Sequence, residues 1–323
     1  MKKLSAFARS ALGRLLLAAI GFGGLALLIK NSDPQAVWAA LIHAPLLFPA
    51  VVVLQALVVG FESWAVLLLY GERRHEIPRR EVWRSSMFSF AIVVVFPFGR
   101  AVGEAARAAM LSRYVGSARA AAAVAQIQAV TLLGNAVISI PCAVAIYLLV
   151  GSGWLLVAIG VHFVVSAALA AGVILAGRHG GLAARLGRFF PGGQEWGSQV
   201  DDHLKGKQQF AAPVALVLVS RLVDTAQRMV LLAAVGGAYG VLQGFTSEGI
   251  NLVASAAGDA IPGQVGITEM GYSMTASMLS LTPSNAVAMG LLAHLAVLVW
   301  VGLGFLVVVV SRAPAPLLEQ QAP

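Results

Sequence analysis

Apolar residues along this chain gather in runs too long for the core of a soluble domain, and the runs are interrupted in a regular way. A helix needs about 20 consecutive apolar residues to cross about 30 Å of hydrocarbon. Six segments meet that measure: 13–30, 45–70, 120–150, 154–177, 210–235 and 285–311. The second and third exceed a minimal span, so tilt or extension past the bilayer is expected. Two further apolar stretches are broken internally, 85–115 by Phe96-Pro97-Phe98-Gly99 and 248–281 by Ile261-Pro262-Gly263. Proline and glycine end helices, and the pieces on either side are too short to cross alone. Irregular backbone at membrane depth survives only inside protein or beside water. Both stretches are therefore read as re-entrant helical hairpins.

The two breaks are related. Pro97 and Pro262 lie 165 residues apart, and each is followed seven residues later by a glutamate, Glu104 and Glu269. The second and fifth spans, and the third and sixth, are offset by nearly the same interval. This predicts two halves, 1–150 and 151–323, each ordered span, span, hairpin, span, with a cytoplasmic linker at 178–208. One half starts in the cytoplasm and the other starts outside, so the halves are inverted. Inverted repeats whose broken helices meet near the midplane mark secondary transporters. The expected fold class is an all-α polytopic membrane protein, about six transmembrane helices plus two re-entrant helical hairpins in an inverted-repeat architecture.

Composition agrees with a lipid-facing chain. Hydrophobic residues make up 59% and charged residues 11%, where about 25% charged is usual for a soluble domain. Mean hydropathy is +0.84 and the pI about 10.1. The single cysteine, Cys142, excludes an intramolecular disulfide or a multi-cysteine metal site. With both termini cytoplasmic, 18 of the 22 Lys and Arg residues fall inside. Lys30 alone falls outside, while Arg100, Arg221 and Arg228 sit within apolar segments. That asymmetry follows the positive-inside rule and assigns the net charge of +8 to loops rather than to nucleic-acid binding; a bacterial cytoplasmic (inner) membrane is the expected location. Val37-Trp38-Ala39 imitates a signal-peptidase site, but polar Asn31-Ser32-Asp33-Pro34 precedes it, so the first span is expected to be retained.

An ionised side chain at the bilayer centre costs about 2.5–3.5 kcal/mol on insertion scales, so each one needs a reason. Arg100, Glu104 and Arg107 are spaced i, i+4, i+7 on one helical face, and Arg221, Asp224 and Arg228 are spaced i, i+3, i+7 on another. Each set holds a carboxylate between two arginines and keeps one positive charge after internal pairing. Guanidinium forks suit phosphate or carboxylate. The helices restarting after Pro97 and Gly99, and after Pro262 and Gly263, point N-termini inward, where free N–H groups and the helix dipole favour an anion. The alternative is that the arginines only neutralise Glu104 and Asp224 and knit the halves together. Glu62, offset by 165 from Gln227, is a candidate carrier of a coupling proton or a partner of a nearby arginine. Glu248, Asp259 and Glu269 are the acids of the second hairpin, with capping or bracing set beside substrate contact.

His162 and His294 read as packed, hydrogen-bonded helix residues, and Met270, Met274 and Met278 as a packing stripe. No histidine spacing suits a metal, and neither a G-x-S-x-G elbow nor a phosphate loop occurs, so no metal, cofactor or covalent catalysis is expected.

Phe96-Pro97-Phe98-Gly99-Arg100-Ala101-Val102-Gly103-Glu104-Ala105-Ala106-Arg107 resembles the first signature of the lysylphosphatidylglycerol synthase transmembrane region and its flippase-like relatives. Ile261-Pro262-Gly263-Gln264-Val265-Gly266-Ile267-Thr268-Glu269 resembles the second, and the likeness covers nearly the whole chain. The resemblance implies movement of a membrane lipid, often aminoacylated or glycosylated, between leaflets. Two departures matter. Where such proteins commonly carry an acidic and basic cluster after the first hairpin, this chain has Gln126-Ile127-Gln128-Ala129-Val130-Thr131. The cytoplasmic aminoacyl-transferase domain of the synthases is not found, so lipid aminoacylation is not expected. The leading expectation is an alternating-access translocase for an anionic or zwitterionic lipid. A proton-coupled small-solute transporter and a noncatalytic scaffold for a lipid-biosynthesis enzyme partner stand beside it.

Overall fold

The computed structural model describes residues 23, 26, 27, 29, 30, 33–44, 46–188, 193–205 and 210–310, and among them no strand occurs. The first expected span falls largely outside the described residues.

A helix unforeseen in the sequence, α1 (Pro34–His43), begins where the polar Asn31–Pro34 segment was expected to separate spans. Pro34 fills the first turn without wasting an N–H, and the Asp33 carboxylate accepts the Gln35 N–H at 3.1 Å and the Ala36 N–H at 3.4 Å. Then follow α2 (Phe48–Leu69), a 3-10 turn (Gly71–Glu76), α3 (Arg79–Val95), α4 (Gly99–Val115), α5 (Ser117–Val150) and α6 (Trp154–His179). Two short helices, α7 (Leu182–Gly187) and α8 (Gly193–Lys205), lead to α9 (Ala211–Ala234), α10 (Val241–Gly258), α11 (Ile267–Met274) and α12 (Pro283–Val310). Among the described residues, four helices are long and apolar enough to cross a membrane: Phe48–Leu69, Ser117–Val150, Trp154–His179 and Pro283–Val307. The fifth expected span, α9, is long enough but carries three charges. At about 1.5 Å per residue, the 34 residues of α5 run well past a bilayer's hydrocarbon.

Both breaks are hairpins. Arms α3 and α4 pack so closely that a Cβ on Gly99 would lie 1.9 Å from the Val93 carbonyl oxygen, and one on Gly103 would lie 2.6 Å from that of Ser89. Contact partners that fall in number as α4 rises show that the arms are antiparallel. Phe98 turns the chain in a left-handed conformation (φ 51°), and its N–H donates to the Asp259 carbonyl at 3.0 Å. The tips of the two hairpins therefore meet. The second hairpin is asymmetric: α10 has 18 residues, whereas α11 has eight before a 3-10 turn at Ala276–Leu279.

Shifting α2, α3, α4 and α5 by 165 residues brings each onto α9, α10, the α11 region and α12 to within a few residues. The matching helices α2 and α9 cross antiparallel. Gln227, late in α9, donates to the Val51 carbonyl (2.9 Å) and to Gln55 (3.2 Å) early in α2, while Arg221, earlier in α9, reaches Glu62 later in α2. Apolar clusters close off both ends of this crossing. One contains Val51, Ile146, Leu231, Ile250, Tyr272 and Met289; the other contains Ala65, Tyr70, Leu111, Val115, Ile127 and Val217.

The described parts of the 178–208 linker, 178–188 and 193–205, are folded against each other. Asp201 of α8 accepts the Ala183 and Ala184 N–H groups at 3.1 and 3.0 Å, satisfying the start of α7, and the Trp196 indole donates to Ser117 at the start of α5 (3.2 Å). Val157, Val161, Val164 and Leu169 of α6 are exposed, as an apolar face turned to lipid would be.

Candidate functional site

Between the two apolar clusters, at the middle of the α2–α9 crossing, lies a cavity of about 260 Å³. Hairpin one, hairpin two, α2, α9 and α12 all line it. The structure brings together Arg100, Glu104 and Arg107 of α4, Arg221, Asp224 and Arg228 of α9, and Glu62 of α2, together with Gly99 and Gly263 from the two breaks. Three expected site residues do not line it. Pro97 and Pro262 shape the breaks, and Glu269 lies behind the wall, fully buried.

Helical spacing explains the convergence on each helix; pairing between helices decides the electrostatics. Arg107 meets Glu104 at 3.4 Å within α4. Arg221 makes two ion pairs, with Asp224 at 2.9 Å and with Glu62 at 3.1 Å. Arg228 meets Glu248 of α10 at 3.4 Å. The expectation of one unpaired arginine per set therefore fails for α9. Inspection of one helix sees only its own acids, and here α2 and α10 each supply one more. For the hairpin set the expectation stands: Arg100 has no carboxylate or hydrogen-bond partner among the described residues. Glu62 takes the role of arginine partner.

Several buried atoms of the residues lining this site have no hydrogen-bond partner among the described residues: Ser86 Oγ, Ser89 Oγ, Glu104 Oε2, Arg107 Nε and Arg221 Nε. Unsatisfied buried polar groups cost about 1–3 kcal/mol each, so the walls of this cavity hold five groups that gain from any rearrangement that brings them a polar partner. Gln55, Asn251, Ser255, Gln264 and Thr268 extend the polar lining and went unremarked in the sequence, where single polar residues in apolar helices carry no pattern.

His294 of α12 is hydrogen-bonded as expected, but it also lines the cavity. Its Nδ1 lies 2.6 Å from Glu269 Oε1 and its Nε2 lies 2.8 Å from the Gly263 carbonyl. The other Glu269 oxygen accepts the Gly266 N–H at 2.8 Å at the start of α11, so bracing and capping are both realised in this acid. His162 bonds Ser139 at 3.1 Å, away from the site. The methionine stripe is a correction: Met270 and Met274 are exposed because α11 turns that face away from its neighbours.

No group of three or more His, Cys, Asp or Glu residues among those described is placed to hold a metal ion. A family model described as the lysylphosphatidylglycerol synthase TM region matches residues 12–304. No curated protein and no solved structure matches the chain.

Proposed function

The chain belongs to the lysylphosphatidylglycerol synthase TM region family of membrane proteins involved in lipid handling, and we propose that it translocates an anionic or zwitterionic lipid between leaflets by alternating access. The observation that carries this reading is the charged cavity between two hairpin tips and an antiparallel pair of matching helices. About 260 Å³ accommodates a polar headgroup and not a pair of acyl chains, which would remain in hydrocarbon. Arg100, free of any acid, is the anchor for a phosphate or carboxylate. Arg107 and Arg221 each keep a buried Nε without a hydrogen-bond partner. Glu62, Glu104, Asp224 and Asp259 also line the cavity, so four carboxylates face four arginines, and a headgroup bearing both signs is accommodated as readily as an anion.

In this reading the two halves rock about the α2–α9 crossing and expose the cavity to one leaflet, then the other. The bacterial cytoplasmic membrane, with both termini inside, is the proposed location. Transport is assigned to the chain, and no covalent reaction. The test uses purified protein in liposomes containing a fluorescent phosphatidylglycerol whose outer-leaflet fraction is quenched chemically. Arg100→Gln is expected to slow exchange at least tenfold while leaving thermal unfolding in place. Unaltered exchange would remove Arg100 from the site. Absence of exchange in the wild type, with co-purification of a lipid-synthesising enzyme, would replace translocation with a scaffold role.

A further inference from the structure

We propose that His294 and Glu269 form a proton-binding site that couples the cavity to a proton gradient by latching the tip of the second hairpin. The cargo in this inference rests on the lipid-translocation reading; the proton site itself does not.

The geometry defines the proton count. A backbone carbonyl can only accept, so the contact from His294 Nε2 to the Gly263 oxygen at 2.8 Å requires a proton on Nε2. At 2.6 Å, Nδ1 and Glu269 Oε1 need a proton between them, carried by either atom. The second carboxylate oxygen is occupied as an acceptor from Gly266. The pair therefore holds one proton more than a neutral imidazole and an ionised carboxylate contain. Glu269 is fully buried, whereas His294 remains partly open to the cavity, which gives that proton a path.

Removing the proton breaks one of the two contacts. If Nε2 keeps its hydrogen, a bare Nδ1 faces the carboxylate; in the other tautomer a bare Nε2 faces the Gly263 carbonyl. Packing selects which contact yields. Glu269 fills the space left by Gly290 of α12, where even a Cβ would lie 2.8 Å from Glu269 Cγ, so the acid is held from behind. Gly263, by contrast, is a turn residue at φ 63°, in the break whose preceding residue Asp259 accepts the Phe98 N–H of hairpin one. Deprotonation thus frees the tip and with it the contact between hairpins. One proton taken up on one side and given up on the other completes a cycle.

Charged neighbours line the same cavity from several elements. Arg100, Glu104 and Arg107 come from α4, Asp259 from the end of α10, and Arg221, Asp224 and Arg228 from α9, with Arg228 held by Glu248 of α10. Glu62 of α2 is tied to Arg221. From α11, beside Glu269, Tyr272 donates its hydroxyl to the Ser247 carbonyl. Glu81 and Arg84 of α3 pair outside the lining, α1 contributes no lining residue, and α12 carries no other charged side chain among the described residues.

Nitrogen-15 histidine NMR of the full chain in lipid nanodiscs, with His294→Gln to assign the resonance, reads the proton directly. The expected result is an imidazole protonated on both nitrogens or sharing a short hydrogen bond, which titrates, and whose midpoint moves by at least one pH unit in Glu269→Gln. A His294 with one proton throughout pH 5–9, or a signal indifferent to Glu269→Gln, overturns the site. Coupling is read in liposomes carrying an internal pH dye and fluorescent phosphatidylglycerol. Wild type is expected to exchange the probe several-fold faster under an inward proton gradient, with lumenal acidification, while His294→Gln exchanges at one rate with or without it. If Glu62→Gln, and not His294→Gln, abolishes the gradient response, the coupling role passes to Glu62. Wild type inert toward the probe would sink the lipid reading, and the imidazole signal would still decide the proton site. Thermal unfolding of each variant separates loss of coupling from loss of fold.

Discussion

Gly99→Ala puts a single methyl group where the first hairpin has no room. Its carbon would stand 1.9 Å from the Val93 carbonyl oxygen, 2.6 Å from the carbonyl carbon and 2.8 Å from the Cα. All three are backbone atoms, so no side chain can swing aside. Restoring ordinary contact of about 3.5 Å requires the first turn of α4 to retreat by roughly 1.5 Å. Overpacking of this kind costs about 1–3 kcal/mol, and each kcal/mol lowers Tm by roughly 2–4 °C in a domain of 150–250 residues, so a loss of roughly 2–12 °C is expected. Gly103→Ala, whose Cβ would lie 2.6 Å from the Ser89 carbonyl oxygen, needs a smaller retreat and is expected to lose less. Gly160→Ala on α6 meets nothing within 4 Å and gains helix propensity, so it should be neutral or stabilising by up to about 1 kcal/mol. Intrinsic fluorescence unfolding in detergent gives the order, and liposome exchange of the fluorescent lipid gives the consequence, since Arg100, Glu104 and Arg107 ride on α4. Equal Tm values for the three variants would refute the tight antiparallel hairpin, and with it the placement of that charged face.

Three further outcomes test the frame around the cavity. Arg228→Gln or Glu248→Gln alone leaves a buried charge without its partner and is expected to destabilise by about 3–5 kcal/mol, while the double variant loses clearly less than the sum; additive losses in chemical or thermal unfolding would show that the two do not interact. Gln227→Leu abandons the Gln55 side chain and is expected to cost about 1–3 kcal/mol, most of it recovered when Gln55→Leu is added; no recovery would place their bond elsewhere. Asp201→Asn weakens the two N–H bonds at the start of α7 by about 0.5–2 kcal/mol, a local effect, so limited proteolysis should cut within 180–205 faster while global Tm holds; unchanged cleavage would mean that α8 does not pin α7.

Much of the architecture was legible because membrane depth restricts what the backbone can do. Pro97 and Pro262 each stand with a glycine, at Pro97-Phe98-Gly99 and Pro262-Gly263, and that pairing marked two breaks and a 165-residue interval, whereas Pro141 alone lies inside continuous α5; all four matched elements obey that interval. The side-chain faces Arg100-Glu104-Arg107 and Arg221-Asp224-Arg228 were legible for the same reason, helical period within one element. Contacts between elements were not. Arg113 reaches across 32 residues to Glu81 at 2.5 Å, although in the sequence both lie among loop-side charges. Arg84, counted there as a loop cation, is buried beside the same acid. α1 was hidden because Asp33-Pro34 reads as a polar break and only the structure shows it as a cap.

The reversal at α9 bears most on function. Two arginines and one aspartate in a row suggest a standing positive charge, yet Glu62 and Glu248 arrive from neighbouring helices and more than offset it, three carboxylates standing against two guanidiniums. Physical economy explains the arrangement: an unpaired buried charge is destabilising whether or not a substrate is present, whereas a paired one is tolerated in the empty protein. On the proposed reading, selectivity then cannot come from excess positive charge in α9 and falls to what pairing leaves over. That remainder is Arg100, alone among the described arginines of the cavity at the start of α4. A guest bound there competes with no existing salt bridge. Arg100→Lys keeps the charge but loses the planar fork, so it is expected to retain part of the exchange rate that Arg100→Gln loses. If Lys restored the full rate, bulk charge and not directed hydrogen bonding would govern the cavity. If Arg221→Lys, which disturbs two ion pairs, proved milder than Arg100→Lys in exchange but harsher in Tm, the separation of scaffold from anchor would hold.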